Sequence, residues 1–377
     1  MGKQVALPTY KRFITGQIER FDERYTGYSR GDRGEIPGLK ESFERGLKTK
    51  GQRNVPGFAR EDYAVNMAGR MIDTLVRRTI FSRDSLPTRW QIPLEPAPVS
   101  DPAKMSRKVK KVARWFGADL VGICELNPLW LYSHWGDHTA KLSQLAKAGD
   151  LLDVPKEYKY AIVMAFEMDY QDIQRSPAVA PANDLGYAKM AFTAPSVAEF
   201  IRFLGFKAIP CGNDTALSVP LAIDAGLGEL GRHGLLITEQ YGPRVRLAKV
   251  LTDLPLETDK PIDLGVQHFC ENCGKCVEHC PSNAIMKGGR IDKSRDISNN
   301  SGVLKWPIDV EDCLNWWAKN GTGCSNCIRS CTWNKPKGWL HELVRGVIRH
   351  TSLFDGLLVW ADDILGYGKQ VIRETPP

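Results

Sequence analysis

Eight of the ten cysteines gather in two quartets towards the C-terminal end of this 377-residue chain: Cys270, Cys273, Cys276 and Cys280, then Cys313, Cys324, Cys327 and Cys331. The first quartet reads C-x2-C-x2-C-x3-C and is closed by Pro281, the thiolate spacing that wraps a [4Fe–4S] cluster. The second is a variant whose first cysteine is displaced upstream. Iron in such a cube is tetrahedral and prefers soft thiolates. Short gaps let one tight loop offer three of them, and the fourth arrives from elsewhere in the chain. In two-cluster ferredoxins the fourth cysteine of a run serves the other cluster. That rule assigns Cys270, Cys273, Cys276 and Cys331 to one cube, and Cys280, Cys313, Cys324 and Cys327 to the other. Zinc and disulfides are the competing readings. Zinc sites usually pair two C-x2-C knuckles and do not add a third cysteine at the same interval plus a proline. The segment reads as an electron-transfer element, and Cys124 and Cys211, in apolar surroundings, read as plain buried thiols.

Clusters deliver electrons without saying where they go, so the rest of the chain decides the function. Its composition is that of an ordinary globular protein, 42% hydrophobic and 25% charged. A formal net charge of +7 without a pronounced basic stripe argues against a dedicated nucleic-acid binder. The densest basic run, Lys104 to Arg114, fits the solvated face of an amphipathic helix. No stretch has the ~20 consecutive apolar residues of a membrane span. The N-terminus shows neither a cleavable signal pattern nor a twin-arginine signal, which leaves export open.

Residues 1–102 read as an irregular N-terminal region packing on the core, with one helical pattern near Glu61 to Arg77. A proline-marked stretch follows, from Pro87 and Pro93 through Pro96 and Pro98 to Pro102. Helical period returns over Ala103 to Phe116, and short buried-strand patterns follow at Asp119–Cys124 and Tyr160–Phe166. Asp184 to Leu204 reads as a helix whose stripe Tyr187, Met190, Ala194, Val197, Ile201 and Leu204 faces a core, with Pro195 expected to bend it. Lys207–Pro210, Leu235–Thr238 and Arg246–Leu251 read as strands, with a helix at Val219–Ala225. This alternation predicts an α+β sandwich over 103–264. A ferredoxin-like module then occupies 265–336, and a helical tail 337–377.

Gly226-Leu227-Gly228-Glu229-Leu230-Gly231 matches G-x-G-x-x-G, but a helix precedes it and a strand follows, the reverse of a dinucleotide site. The competing readings are a glycine-rich helix exit and a close backbone approach to a large planar cofactor.

Several further strings stand in a telling order before the cysteines. They are Gly186-Tyr187-Ala188-Lys189-Met190, Phe200 to Gly205, Ala225 to Glu229 with Gly231-Arg232, and Tyr241-Gly242-Pro243-Arg244-Val245-Arg246. With Gly117-Ala118, Val121 to Ile123, Cys331 to Pro336 and the late Phe354 to Gly368 segment, they resemble the catalytic subunit of corrinoid- and iron–sulfur-dependent respiratory reductive dehalogenases. The likeness covers about 103–368 well and the first hundred residues poorly. It implies a nitroreductase-like corrinoid-binding domain followed by a bacterial two-[4Fe–4S] ferredoxin-like module. It implies a base-off cobalamin or related corrinoid, reached by electrons one at a time and brought to Co(I). By motif and order, the family's catalytic tyrosine, asparagine and arginine correspond to Tyr187, Asn213 and Arg246. Corrinoid contacts are expected at Gly226, Gly228, Gly231, Arg232 and Leu247. None of the seven histidines stands in a D-x-H-x-x-G loop of the kind that supplies a lower cobalt ligand.

The implied reaction is R–X + 2e⁻ + H⁺ → R–H + X⁻ on a small organohalide, a short chlorinated alkane or alkene, in organohalide respiration. Tyr187 would give the proton, Arg246 would favour the phenolate left behind, and Asn213 would steady the halogen. Trp316 and Trp317 are candidate pocket walls. The resemblance also implies an electron donor reached through a membrane-anchor subunit, a peripheral position on the outer face of the cytoplasmic membrane, and possible homodimerisation, with no nucleic-acid partner. Two alternatives stand beside this. An epoxyqueuosine-reductase-like enzyme acting on tRNA should carry a helical-repeat extension, and only a short tail follows Cys331 here. A non-catalytic iron–sulfur carrier has no use for so much fold upstream of its clusters.

Overall fold

The computed structural model describes residues 2–53, 55–80, 95–143 and 146–374. In chain order its longer elements begin with α1 (Arg60–Ile80), α2 (Pro102–Trp115), β1 (Leu120–Glu125) and β2 (Tyr160–Glu167). They continue with α3 (Ala182–Phe203), β3 (Ala208–Cys211), α4 (Ser218–Asp224) and β4 (Val245–Thr252). The four strands form one sheet in the order β1-β2-β4-β3, and every neighbouring pair is antiparallel.

Side-chain alternation along the strands sends alternate residues to opposite cores. Ile162, Met164 and Phe166 of β2, with Ala248 and Val250 of β4, meet Val109 and Ala113 of α2 and Met190, Val197 and Ile201 of α3. Ala161, Val163 and Ala165, with Leu247 and Leu251, meet Leu221 to Ile223 of α4 and the aromatic loop Trp130 to Trp135. A strand covered on both faces needs apolar residues at every position, which is why β2 reads as an unbroken apolar run. The result is a mixed α/β sandwich, and its strands lie within a residue or two of their predicted positions. Helix α2 starts where Asp101 accepts from the Lys104 amide at 2.9 Å and Pro102 opens the first turn.

The cysteine segment is built from α5 (Val266–Asn272), α6 (Val310–Asn320) and one-turn helices at Lys275–Glu278 and Asn326–Arg329. Two closing helices, α7 (Trp339–His350) and α8 (Asp355–Ile364), lay Val344, Leu358 and Val359 against Phe269, Trp333, Cys270 and Cys331. Asp362 locks this contact, accepting from Lys275 at 2.5 Å and pairing with Lys335 at 2.5 Å. All three are buried, so removing Asp362 leaves the buried Lys335 without its carboxylate, while Lys275 keeps Asp363 at 2.7 Å.

Two expectations change. The Leu235–Thr238 strand shrinks to Leu236–Ile237, and it pairs only with Glu229–Leu230, apart from the main sheet. The N-terminal region carries the expected helix, α1, packed along α3, but it also has several short helical turns tied to the core where irregular chain was expected. Tyr10 donates to Asp224 at 2.7 Å, and Arg20 donates to the Leu152 carbonyl at 2.7 Å. Such polar anchors leave no periodic apolar trace in a sequence. Pro87 and Pro93 lie outside the described residues.

Candidate active site and the cysteine module

Tyr187 and Arg246 meet because α3 crosses the first residues of β4. Arg246 pairs in register with Phe166 and points towards α3. Its guanidinium lies 4.5 Å from the centroid of the Tyr187 ring, and its Nη2 donates to Asn183 Oδ1 at 2.9 Å. Gly186 makes the crossing possible. A Cβ there would stand 2.7 Å from Arg246 Cγ, so a residue that weakens a helix by ~1 kcal/mol is tolerated for the close approach. Asn213 completes the group, its Nδ2 donating to Tyr187 Oη at 3.3 Å. The three residues that sequence order nominated are therefore together.

The loop carrying Asn213 is held from inside. Lys249 of β4 is fully buried and donates from Nζ to the Gly212 carbonyl at 2.5 Å and to Ser218 Oγ at 3.0 Å. Burial lowers its pKa, opposed by Asp214, Cys211 and Glu23. Asp214 accepts from the Gly212 amide at 2.6 Å and from Thr215 Oγ1 at 2.7 Å, with Thr215 in the left-handed region at φ 67°. Glu23 closes this buried layer, accepting from Thr139 Oγ1 at 2.5 Å and from the Gly136 amide at 3.0 Å. Burial pushes its carboxyl up to about 7 in spite of those donors. Sequence reading missed Lys249, Asp214 and Glu23. An isolated lysine inside an apolar strand was the one available signal for the first.

Beneath Tyr187, Asp184 is buried, accepts from Asn66 Nδ2 at 2.5 Å and pairs with Arg70 at 3.3 Å. Burial raises its pKa, opposed by Arg70 and Arg246. On the N-terminal side, the Tyr28 phenol is pushed upward by burial of its hydroxyl and then by Tyr187, while Arg246 acts against the shift. Thus α1 and the Tyr28 segment, which carry no resemblance motif, contribute to the surroundings of Tyr187.

The cysteines fall into the two predicted groups. Cys270, Cys273, Cys276 and Cys331 line one small cavity together with Arg232, His233, Phe269, Thr332 and Trp333. Burial, followed by Cys331, Cys270 and Cys273, raises the Cys276 thiol, and burial pushes Cys270 up to about 12. In the second group Cys313 is pushed up to about 12 by burial, then by Cys324 and Cys280; Cys327 is raised by burial, then by Cys324, Cys313 and Cys280. Burial outweighs the offsets that the chain itself supplies, the Thr332 hydroxyl and Lys275 at Cys273 and the Trp333 amide and Lys335 at Cys331. Iron would supply the stronger partner, because a cluster's positive charge inverts the local logic and would hold all four as thiolates. Trp317 stands beside Cys313 on α6, next to Trp316, so the indoles expected to wall a pocket are neighbours of the second quartet.

The glycine-rich turn is packed closely against the rest of the chain. A Cβ at Gly226 would meet the Lys260 carbonyl oxygen at 2.3 Å, and one at Gly228 the Ile237 carbonyl oxygen at 2.1 Å. Arg232 donates to the carbonyls of Cys270, at 2.8 and 2.9 Å, Met286 and Gly288, and its guanidinium lies over Trp306 at 4.3 Å. Leu247 points into the core on the face of β4 away from Arg246. Arg232 thus ties the turn to the cysteine module, while Gly226 and Gly228 are fitted against protein backbone.

Residues 269–334 match the family described as a 4Fe-4S double cluster binding domain. A tetrachloroethene reductive dehalogenase of Desulfitobacterium hafniense is 40% identical over 300 residues, covering 71% of this chain and 54% of that protein. The chain belongs to the reductive dehalogenase family. It spans about half the length of the curated relatives it matches. The fold agrees with that of the catabolic reductive dehalogenase NpRdhA, solved with 3-bromo-4-hydroxybenzoic acid, at a TM-score of 0.76 and 23% identity, covering 98% of this chain and 49% of that one. An epoxyqueuosine reductase of Aliivibrio fischeri is 37% identical over 123 residues, only 32% of this chain.

Proposed function

We propose that this chain removes halogen reductively from a small organohalide, R–X + 2e⁻ + H⁺ → R–H + X⁻, with a short chlorinated alkane or alkene as substrate. The observation that carries the proposal is the convergence of a phenol, an amide and a guanidinium, Tyr187, Asn213 and Arg246, in a chain that also holds a double-cluster module. Cys270, Cys273, Cys276 and Cys331 would hold one cluster, and Cys280, Cys313, Cys324 and Cys327 the other. A corrinoid bound beside Tyr187 supplies the reducing metal chemistry at the carbon–halogen bond. The residues present suit such a site: Arg246 Nε is buried without an acceptor among the described residues, and Asn213, which bonds the Tyr187 hydroxyl, is exposed.

Asn213 donates to the Tyr187 oxygen, so the phenolic proton remains free to be given away. Once it leaves, the oxygen carries a charge that Asn213 and the permanent cation of Arg246 both stabilise. Tyr187 is therefore the proton donor, Arg246 its electrostatic partner, and Lys249 the positioning residue for the Asn213 loop.

Electrons would enter from a donor reached through a membrane-anchor partner on the outer face of the cytoplasmic membrane, in organohalide respiration. The C-terminal helices support an approach there: Trp339, Leu340 and Leu343 of α7 and Leu357 and Trp360 of α8 are exposed, while the buried sides of both helices pack on the cysteine module. No helix among the described residues is long and apolar enough to cross a membrane.

The test is anaerobic holoprotein supplied with reduced viologen and a panel of chlorinated ethanes and ethenes. One halide should appear for each two viologens oxidised. Protein with full iron and corrinoid that releases no halide across the panel would remove the proposal.

A further inference from the structure

His233 lies in the same wall of the Cys270 cavity as Arg232, but its polar atoms are used differently. The Leu235 amide donates to His233 Nδ1 at 3.2 Å, so that nitrogen keeps its lone pair and the ring proton sits on Nε2. Nε2 is buried, in a residue only 6% exposed, and finds no acceptor among the described residues. Buried donors are almost always satisfied, so an orphan lining a cavity shared with four thiols points to an acceptor that those thiols hold.

Gly231 explains how the ring reaches this position. A Cβ there would stand 2.7 Å from His233 Cε1, the carbon between the two nitrogens, and 2.8 Å from Ile237 Cδ1. Any larger residue would push the imidazole away from where it stands. The last glycine of the G-x-G-x-x-G string therefore makes room for a histidine. Arg232 cannot replace it, because its donors are engaged with the carbonyls of Cys270, Met286 and Gly288.

We infer that His233 donates its Nε2–H to a sulfur of the [4Fe–4S] cluster held by Cys270, Cys273, Cys276 and Cys331, and so raises that cluster's reduction potential. Reduction adds negative charge to the cube, and a donor aimed at its sulfurs favours the more negative state. Trp333 lines the same cavity, and its indole Nε1 also lacks an acceptor among the described residues, which makes it a second donor of the same kind. The inference rests on the cluster assignment of the cysteines and does not require dehalogenation.

The experiment is an EPR-monitored redox titration of anaerobic holoprotein, with wild type beside His233→Leu and His233→Gln. In His233→Leu the reduced-to-oxidised ratio of one cluster at a fixed potential should fall about tenfold, a midpoint lower by about 59 mV for a one-electron couple. His233→Gln, which keeps an N–H at similar reach, should recover much of that shift, and the other cluster should keep its midpoint in both. An unmoved midpoint in iron-loaded His233→Leu overturns the inference. Should that variant fail to load its cluster, wild-type protein carrying ¹⁵N-histidine decides. Its reduced cluster should show an exchangeable proton and a weak ¹⁵N coupling by ENDOR; no coupling, or one of the size of direct iron–nitrogen ligation, overturns the inference. Wild-type protein without iron would strike the cluster assignment itself, an outcome distinct from a loaded cluster with an unmoved midpoint.

Discussion

The sheet domain and the cysteine module solve the problem of burying reactive groups in opposite ways. Around Tyr187 the chain supplies most of the partners: Arg246 is braced by Asn183, Asn213 bonds the phenol, and Lys249 ties the loop beneath. In the module the thiols crowd one another, and burial raises their pKa values against only a partial offset from Lys275 and Lys335. The first site is preorganised by protein. The second needs its iron to be stable. Catalytic geometry and electron delivery should therefore fail independently.

Removing iron should produce the largest effect. Anaerobic chelation is expected to strip protection from amides in 265–336 while β2 and β4 keep theirs, read by hydrogen exchange. Cys327→Ser should lower iron from about eight per chain towards four, because each cube needs all four thiolates. Equal loss of protection in both regions would show that they fold as one cooperative unit.

Next comes Gly186→Ala. The new methyl would collide with Arg246 Cγ, so it should destabilise the protein by about 1–3 kcal/mol and displace the guanidinium from the Tyr187 ring. Denaturant unfolding measures the first and turnover the second, with iron content unchanged.

Lys249→Met should follow. It leaves the Gly212 carbonyl and Ser218 without their buried donor, at about 1–3 kcal/mol. A lower kcat with little change in KM would mark a displaced Asn213 loop, whereas unchanged kinetics would reduce Lys249 to a structural residue.

The smallest effect belongs to Glu23. Its folded pKa of about 7 lies above the ordinary 4.5, so the folded state binds more protons between those values and stability falls as pH rises through that window. Glu23→Gln should flatten that slope between pH 4.5 and 7 in chemical unfolding. A slope that persists assigns it to other groups, among them Glu229, which burial also pushes up to about 7.

Much of this arrangement was legible in the sequence, for reasons that differ by region. The strands were readable because both faces of β2 are covered, which forces an apolar run, and α3 because its core stripe keeps helical period. The thiol grouping followed from ligand spacing. What stayed hidden depends on single contacts between distant residues. The glycine string carried no sign that Lys260, Ile237 and His233 stand so close to its members. Arg232 carried no mark that its guanidinium serves the Cys270 carbonyl. Glu23 and the Tyr28 segment lie in a stretch whose order comes from hydrogen bonds to distant backbone, which no local pattern encodes.

The central claim is that a phenolic proton donor, held by the chain itself, completes a reduction powered from the cysteine module. Halide release by Tyr187→Phe holoprotein, with iron and corrinoid matched to wild type, tests this most directly. The account predicts a loss of about 10²–10⁴-fold with unchanged cluster spectra and thermal stability. Turnover within a few-fold of wild type would contradict it.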